Sequence, residues 1–143
     1  HPDPMIVRLS FVYGRSLPAG TLSGFPALVC NQAANEADIP LFIDQHVSPS
    51  YASSTATTIL DLLEHGQSGT FNVAGTSCIS PHEFGKAILD ESGIANVSVS
   101  ESSMKDVDRT ADRPPYTCLG VQRVEETLGR PQPTVREGLS DLF

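Results

Sequence analysis

The chain has 143 residues, 39% of them hydrophobic, enough for one ordinary domain with a packed core. Lys and Arg total 9 against 17 Asp and Glu, a formal net charge of -8, so the basic face that neutralises phosphates is absent and nucleic acid is excluded as a partner. No apolar run approaches the ~20 residues of a membrane span and no signal-peptide series opens the chain, which predicts a cytoplasmic protein with no membrane partner. Only Lys86 and Lys105 are lysines, and an acidic, lysine-poor surface suits solubility at high salt. Cys30, Cys78 and Cys118 are odd in number and widely spaced. They match neither a disulfide framework nor a CxxC metal knuckle, and are read as free thiols of a reducing compartment.

In chain order, residues 5–13 (MIVRLSFVY) are almost continuously apolar and predict one strand buried on both faces, as in a parallel sheet. A helix follows near Phe25, with Pro26 in its first turn, where the missing N–H is harmless. PLFID is a short strand and QHVSPS an irregular loop. Ala56, Ile59, Leu60 and Leu63 recur at helical spacing and give a helix over residues 51–65, with Gly66 as its stop. Residues 69–75 (GTFNVAG) read as a second buried strand. Ser80, Pro81 and Glu83 supply a cap, a proline at N1 and a glutamate at N3 for the next helix. NVSVSESS alternates like a half-exposed strand. Val121, Val124 and Leu128 form a helical stripe ending at Gly129, and Thr134 with Glu137 caps a last helix. Strands separated by such helices argue for α/β architecture with an at least partly parallel sheet.

Stand-alone chemistry is sparse. No glycine fingerprint follows a strand, so a dinucleotide pyrophosphate has no glycine turn to sit on. None of Tyr13, Tyr51 and Tyr116 has a lysine four residues later, the spacing a lysine-activated tyrosine acid requires. Asp44 and His46 read as solvated loop residues rather than metal ligands, His65 as a helix C-terminal residue, and His82 as an exposed residue of a first helical turn. Ser80 and His82 lack a third group that would make a triad.

The blocks VRLSFVYG, SPHEFGKAILDESG and RPPYTCLGVQRVEETLG, in that order along the chain, together resemble the RmlD-like dTDP-4-dehydrorhamnose reductases of the extended short-chain dehydrogenases. VRLSFVYG is similar to that family's RTSWVYG strand. GFPALVCNQAANEADIPLFIDQHVSPSYASSTATTILDLLEHGQSGTFNVAG, SPHEFGKAILDESG and RPPYTCLGVQRVEETLG are similar to its following blocks, in the same order up to Phe143. The resemblance implies the C-terminal part of a Rossmann-like enzyme: the last strands of the parallel sheet, at residues 5–13 and 69–75, plus the small sugar-nucleotide domain. An N-terminal dinucleotide-binding unit of ~150 residues is then expected to precede His1 as its partner. It also implies NADPH or NADH as cofactor, a dTDP-sugar substrate and a homodimer among the assemblies of the family.

Residue by residue, the resemblance places Ser10 beside the nicotinamide. It makes Phe11 an aromatic wall for the sugar, where the family has Trp. Gln45, Ser48, Pro49 and Ser50 fall in the loop lining the nucleotide pocket, and Arg113 becomes the guanidinium that grips a diphosphate. No catalytic residue and no metal ligand is expected within the chain. Arg8, inside an apolar strand, needs either an ion pair or a phosphate. Tyr116, Thr117 and Gly120 depart from the family's Asn, Ser and Asp, and the chain has no Trp, which leaves the sugar open. A non-catalytic regulatory homologue of the same fold, another sugar-nucleotide epimerase or reductase, and a stand-alone interaction module stay as alternatives.

Overall fold

The computed structural model describes residues 3–35, 38–108 and 110–143. The order is β1 (Met5–Leu9), β2 (Val12–Ser16), β3 (Thr21–Ser23), α1 (Phe25–Ala33), β4 (Asp38–Phe42), β5 (Ser50–Tyr51), α2 (Ala52–Glu64), β6 (Gly69–Val73), α3 (Pro81–Ser92), β7 (Ser98–Ser102), α4 (Gln122–Leu128) and α5 (Val135–Ser140), with a 3-10 turn at Met104–Asp106. Among the described residues three small sheets result: β1 with β6, β2 between β3 and β5, and β4 with β7. The pairs β1–β6, β2–β5 and β4–β7 are parallel, and β2–β3 is antiparallel. The α/β class and the parallel pairing expected from the alternating pattern are thus present.

The expected single strand over residues 5–13 is broken. Phe11 adopts φ 42, a left-handed backbone that a bulky residue rarely takes. There the chain leaves the β1–β6 sheet, and Val12–Ser16 pairs with β3 and β5 instead. Apolar content alone does not reveal such a bend, because both halves remain strand. β1 is also less buried than a central strand: Ile6 is 52% and Leu9 47% exposed.

Two cores result. Leu62, Phe71, Val73, Ala74, Val121 and Val124 pack under the β1–β6 pair, against α2 and α4. Tyr13, Val29, Ile39, Leu41, Phe84, Ile88 and Leu139 form the other, joined by Phe11 and Phe25, whose rings meet Phe84 at 6.2 and 5.4 Å. Helix α3 is set by its sequence. Ser80 Oγ accepts from the Glu83 amide while the Glu83 carboxylate accepts from the Ser80 amide, a closed capping box with Pro81 at N1, and Gly93 ends the helix at φ 69. Thr134 and Glu137 make the same box for α5. Contrary to expectation, His82 is buried, because the first turn of α3 packs inward along with Pro81 and Phe84.

Helix α2 forms where expected, but the stripe that marks it is not the face it buries. Thr55, Thr58 and Leu62 point inward, while Leu60 and Leu63 are 59% and 55% exposed. The buried threonine is used: Thr58 Oγ1 donates to Gln132 Oε1 at 3.1 Å, and Arg130 pairs with Asp61 beside it, locking α2 to the segment after α4.

Candidate functional site

Parallel α/β sheets bind ligands beyond the carboxyl ends of their strands. Here that region lies past Leu9 of β1 and Val73 of β6, where Ser10–Phe11, the loop 45–51 and Ala74–Gly75 converge. The Ser50 amide donates to the Phe11 carbonyl at 3.2 Å, and the Gly75 amide donates to Ser50 Oγ at 3.1 Å. Ser50 Oγ itself donates to the Ser48 carbonyl at 3.0 Å. A Cβ on Gly75 would run into the Pro49 carbonyl, so only glycine permits this approach of two backbones.

A third segment joins from residues 113–119. Its Thr117 amide donates to the His46 carbonyl at 3.0 Å, and the Leu119 amide donates to Ser48 Oγ at 3.2 Å. The His46 amide in turn donates to the Pro115 carbonyl at 2.7 Å, and the His46 ring stacks on Tyr116 with centroids 4.5 Å apart and planes 3° from parallel. Tyr116 remains 68% exposed on its other side. His46 Nδ1 is buried with no hydrogen-bond partner among the described residues.

The structure therefore brings Ser10, Phe11, Gln45, Ser48, Pro49 and Ser50 into one neighbourhood, with Arg113 on the segment that borders it. Their environments differ. Ser48 and Ser50 are each 1% exposed and their hydroxyls are engaged within the chain, so they shape the loop. Pro49 is buried, Gln45 and Ser10 are half-buried, and the Phe11 ring packs on Phe25 and Phe84. Arg113 is exposed and makes no hydrogen bond or ion pair among the described residues. Arg8 is exposed as well, on β1, away from any such contact.

Arg113 lines an open cavity of about 830 Å³ together with Asp44, Lys105, Asp106, Asp108, Asp112 and neighbouring apolar groups. Asp44 is not free to act there. It accepts from Ser103 Oγ at 2.6 Å and from the Met104 amide at 2.8 Å, and these donors hold its carboxyl below the usual carboxylate range. Four aspartates face two cations in this cavity, so its net charge is negative and the Arg113 guanidinium is its one planar, fork-shaped donor among the described lining residues. The glycine that opens a helix here is Gly24, the N-cap of α1 at φ 74, and it follows the antiparallel strand β3 rather than the carboxyl end of β1 or β6. Tyr13 is no acid–base candidate. It is 2% exposed, and burial raises its phenol far above the usual value.

The free-thiol reading holds only for Cys30, which is half-buried with its thiol pushed up by burial. Cys78 and Cys118 form a disulfide with Cα atoms 5.6 Å apart. Spacing hides the pair because the fold makes it: Val47 bridges Ile79 on one side and His46 bridges Tyr116 on the other, so residues 46–47 hold both cysteine segments together. The His46–Tyr116 stack was equally unreadable; its one signal is an aromatic where the similar family carries Asn.

Fold and site thus define an α/β domain of the extended short-chain dehydrogenase type. The chain belongs to the RmlD substrate binding domain family, whose model matches residues 1–143. It is 44% identical over 142 residues to the probable low-salt glycan biosynthesis reductase Agl14 of Haloferax volcanii, covering 99% of this chain and 47% of that protein. To the dTDP-4-dehydrorhamnose reductase of Mycolicibacterium smegmatis it is 28% identical over 141 residues, 98% of this chain and 42% of the other. Among solved structures, a dTDP-4-dehydrorhamnose reductase from Bacillus anthracis in complex with NADP superposes with a TM-score of 0.86 at 26% identity, over 100% of this chain and 48% of that one. The chain spans about half the length of the curated relatives it matches.

Proposed function

We propose that the chain is the substrate-binding, C-terminal portion of an NAD(P)H-dependent sugar-nucleotide reductase, most simply a dTDP-4-dehydrorhamnose reductase that reduces the C4 ketone of a dTDP-linked deoxysugar. The observation that carries the reading is the junction at the carboxyl ends of β1 and β6, where the loop 45–51 and the segment 113–119 are tied together beside an exposed Arg113 that has no partner among the described residues. In this reading the exposed guanidinium grips the diphosphate, Gln45 and Tyr116 border the nucleotide, and Ser48, Pro49 and Ser50 fix the loop. Phe11 supports the pocket floor through the aromatic cluster, and Ser10 lies nearest the nicotinamide.

NADPH or NADH, bound by an N-terminal unit, supplies the hydride, and the acid–base pair belongs to that unit as well. The exposed apolar side chains Ile6, Leu9, Val12, Leu60 and Leu63 support such a partner, since a domain complete in itself leaves less apolar surface open. The acidic, lysine-poor surface accords with work at high salt in the cytoplasm, and a homodimer is the assembly expected of the whole protein. The test is NADPH or NADH oxidation by the full-length protein, dependent on dTDP-4-dehydro-L-rhamnose. Turnover supports the reading; stable binding of the nucleotide sugar without oxidation of either cofactor would instead favour a non-catalytic homologue.

A further inference from the structure

Between residues 110 and 120 no described side chain is fully buried, and only Leu119, at its end, packs against an apolar core, so residues 110–118 have little apolar packing to hold them. It is fastened by hydrogen bonds to residues 46 and 48, by the Asn72 side chain donating to the Gly120 carbonyl at 3.0 Å, and by the Cys78–Cys118 disulfide. The disulfide is the covalent cross-link among the described residues, and it runs from the segment to the loop that follows β6. Cys78 is exposed and Cys118 half-buried, so a thiolate from solvent reaches the Cys78 sulfur first.

We propose that Cys78–Cys118 is a reversible thiol–disulfide exchange site for a dithiol reductant, and that its state sets how firmly the segment bearing Arg113 and Tyr116 is held. A dithiol thiolate attacks Cys78 Sγ, the sulfur–sulfur bond breaks, and Cys118 Sγ leaves as a thiolate that takes a proton. The second thiol of the reductant then displaces Cys78 from the mixed disulfide, and Cys78 is protonated in turn. Two electrons pass from the dithiol, which becomes a disulfide, to the protein, which gains two thiols. The oxidised segment is clamped from both sides, by residues 46–48 and by the 76–79 loop; the reduced one keeps the part-buried hydrogen bonds to residues 46 and 48 and the packing of Leu119, without the covalent tie on the other side. The effect on ligand rests on the nucleotide-sugar reading, while the clamp itself rests on the geometry alone.

The experiment uses the full-length protein, untreated and after incubation with dithiothreitol. Alkylation in denaturant with peptide mapping is expected to label Cys30 in both samples, and Cys78 and Cys118 only after reduction. Hydrogen exchange at the Thr117 and Leu119 amides should speed up about tenfold on reduction, and the Kd for dTDP should rise severalfold. A Cys78→Ser/Cys118→Ser variant should behave as the reduced protein in either condition; should it fail to fold, the dithiol titration of the unaltered protein decides. Alkylation of Cys78 and Cys118 without reductant, or unchanged exchange at Thr117 and Leu119 after reduction, overturns the proposal. Faster exchange with unchanged dTDP affinity overturns the switch. Protein that binds no dTDP in either state refutes the nucleotide-sugar reading instead, and the exchange rates then decide the clamp.

Discussion

The Gly75 amide donates to Ser50 Oγ at 3.1 Å, and this bond fastens the loop before α2 to the carboxyl end of β6. Both residues are buried, so no water replaces the hydroxyl when it is removed. Ser50→Ala should therefore lower stability by about 1–3 kcal/mol, the cost of an unsatisfied buried amide, as read from urea unfolding. Gly75→Ala should cost a similar amount or more, because its Cβ meets the Pro49 carbonyl and, at 3.2 Å, the Pro133 carbonyl.

Tyr13 Oη is buried with no hydrogen-bond partner among the described residues, and it faces Gly138 of α5. Removing an unpaired buried hydroxyl takes away a desolvation cost, so Tyr13→Phe should leave the melting temperature unchanged or raise it. Gly138→Ala puts a methyl against that same oxygen and 3.0 Å from Tyr51 Cβ, and should destabilise by about 1–3 kcal/mol. With Tyr13→Phe in place the penalty of Gly138→Ala should shrink, and a double-mutant cycle measures the coupling.

Glu83 accepts from the Ser80 amide at 2.7 Å and from Ser80 Oγ at 2.8 Å, and these two donors hold its carboxyl below its ordinary 4.5. A carboxylate depressed in the folded state contributes stability above its unfolded value, and loses it as pH falls through the folded one. Unfolding free energy should accordingly fall on acidification below about pH 5. Ser80→Ala should cost about 1 kcal/mol at neutral pH through the lost cap and flatten the acid limb. An acid limb as steep as that of the unaltered protein would contradict the assignment.

Leu60 and Leu63 project from α2 on the side away from Leu62. The 143-residue chain alone should self-associate and bind apolar dyes through this face. Leu60→Gln with Leu63→Gln should weaken the association while moving stability by no more than about 0.5 kcal/mol each, as expected of exposed positions. Sedimentation and thermal melts separate the two effects.

Local chemistry was legible in the sequence wherever neighbours along the chain set it. The Ser80–Glu83 and Thr134–Glu137 boxes and the Gly66 and Gly129 stops follow from residues within a few positions of each other, and the alternation of strands with helices pointed to parallel pairing. Three features were not legible because distant segments create them. The bend at Phe11 depends on which strands Val12–Ser16 finds to pair with. The inward face of α2 is chosen by Gln132 and Phe71, so threonines are buried and leucines are not. The Cys78–Cys118 bond exists because residues 46–47 bridge both cysteine segments. For the candidate site, the family resemblance points to the loop 45–50 and Arg113, whereas the Tyr116 stack and the packing of Phe11 into the aromatic cluster arise from contacts between distant segments and left no local mark.

In the proposed function, this domain binds a nucleotide sugar with Arg113 on its diphosphate. A calorimetric titration of dTDP into the full-length protein, repeated with Arg113→Ala and Arg113→Lys, tests it most directly. Saturable binding weakened about tenfold or more by Arg113→Ala, and only partly restored by the lysine that lacks the planar fork, is the predicted result. Binding of equal strength in all three proteins, or none in the unaltered one, would contradict it.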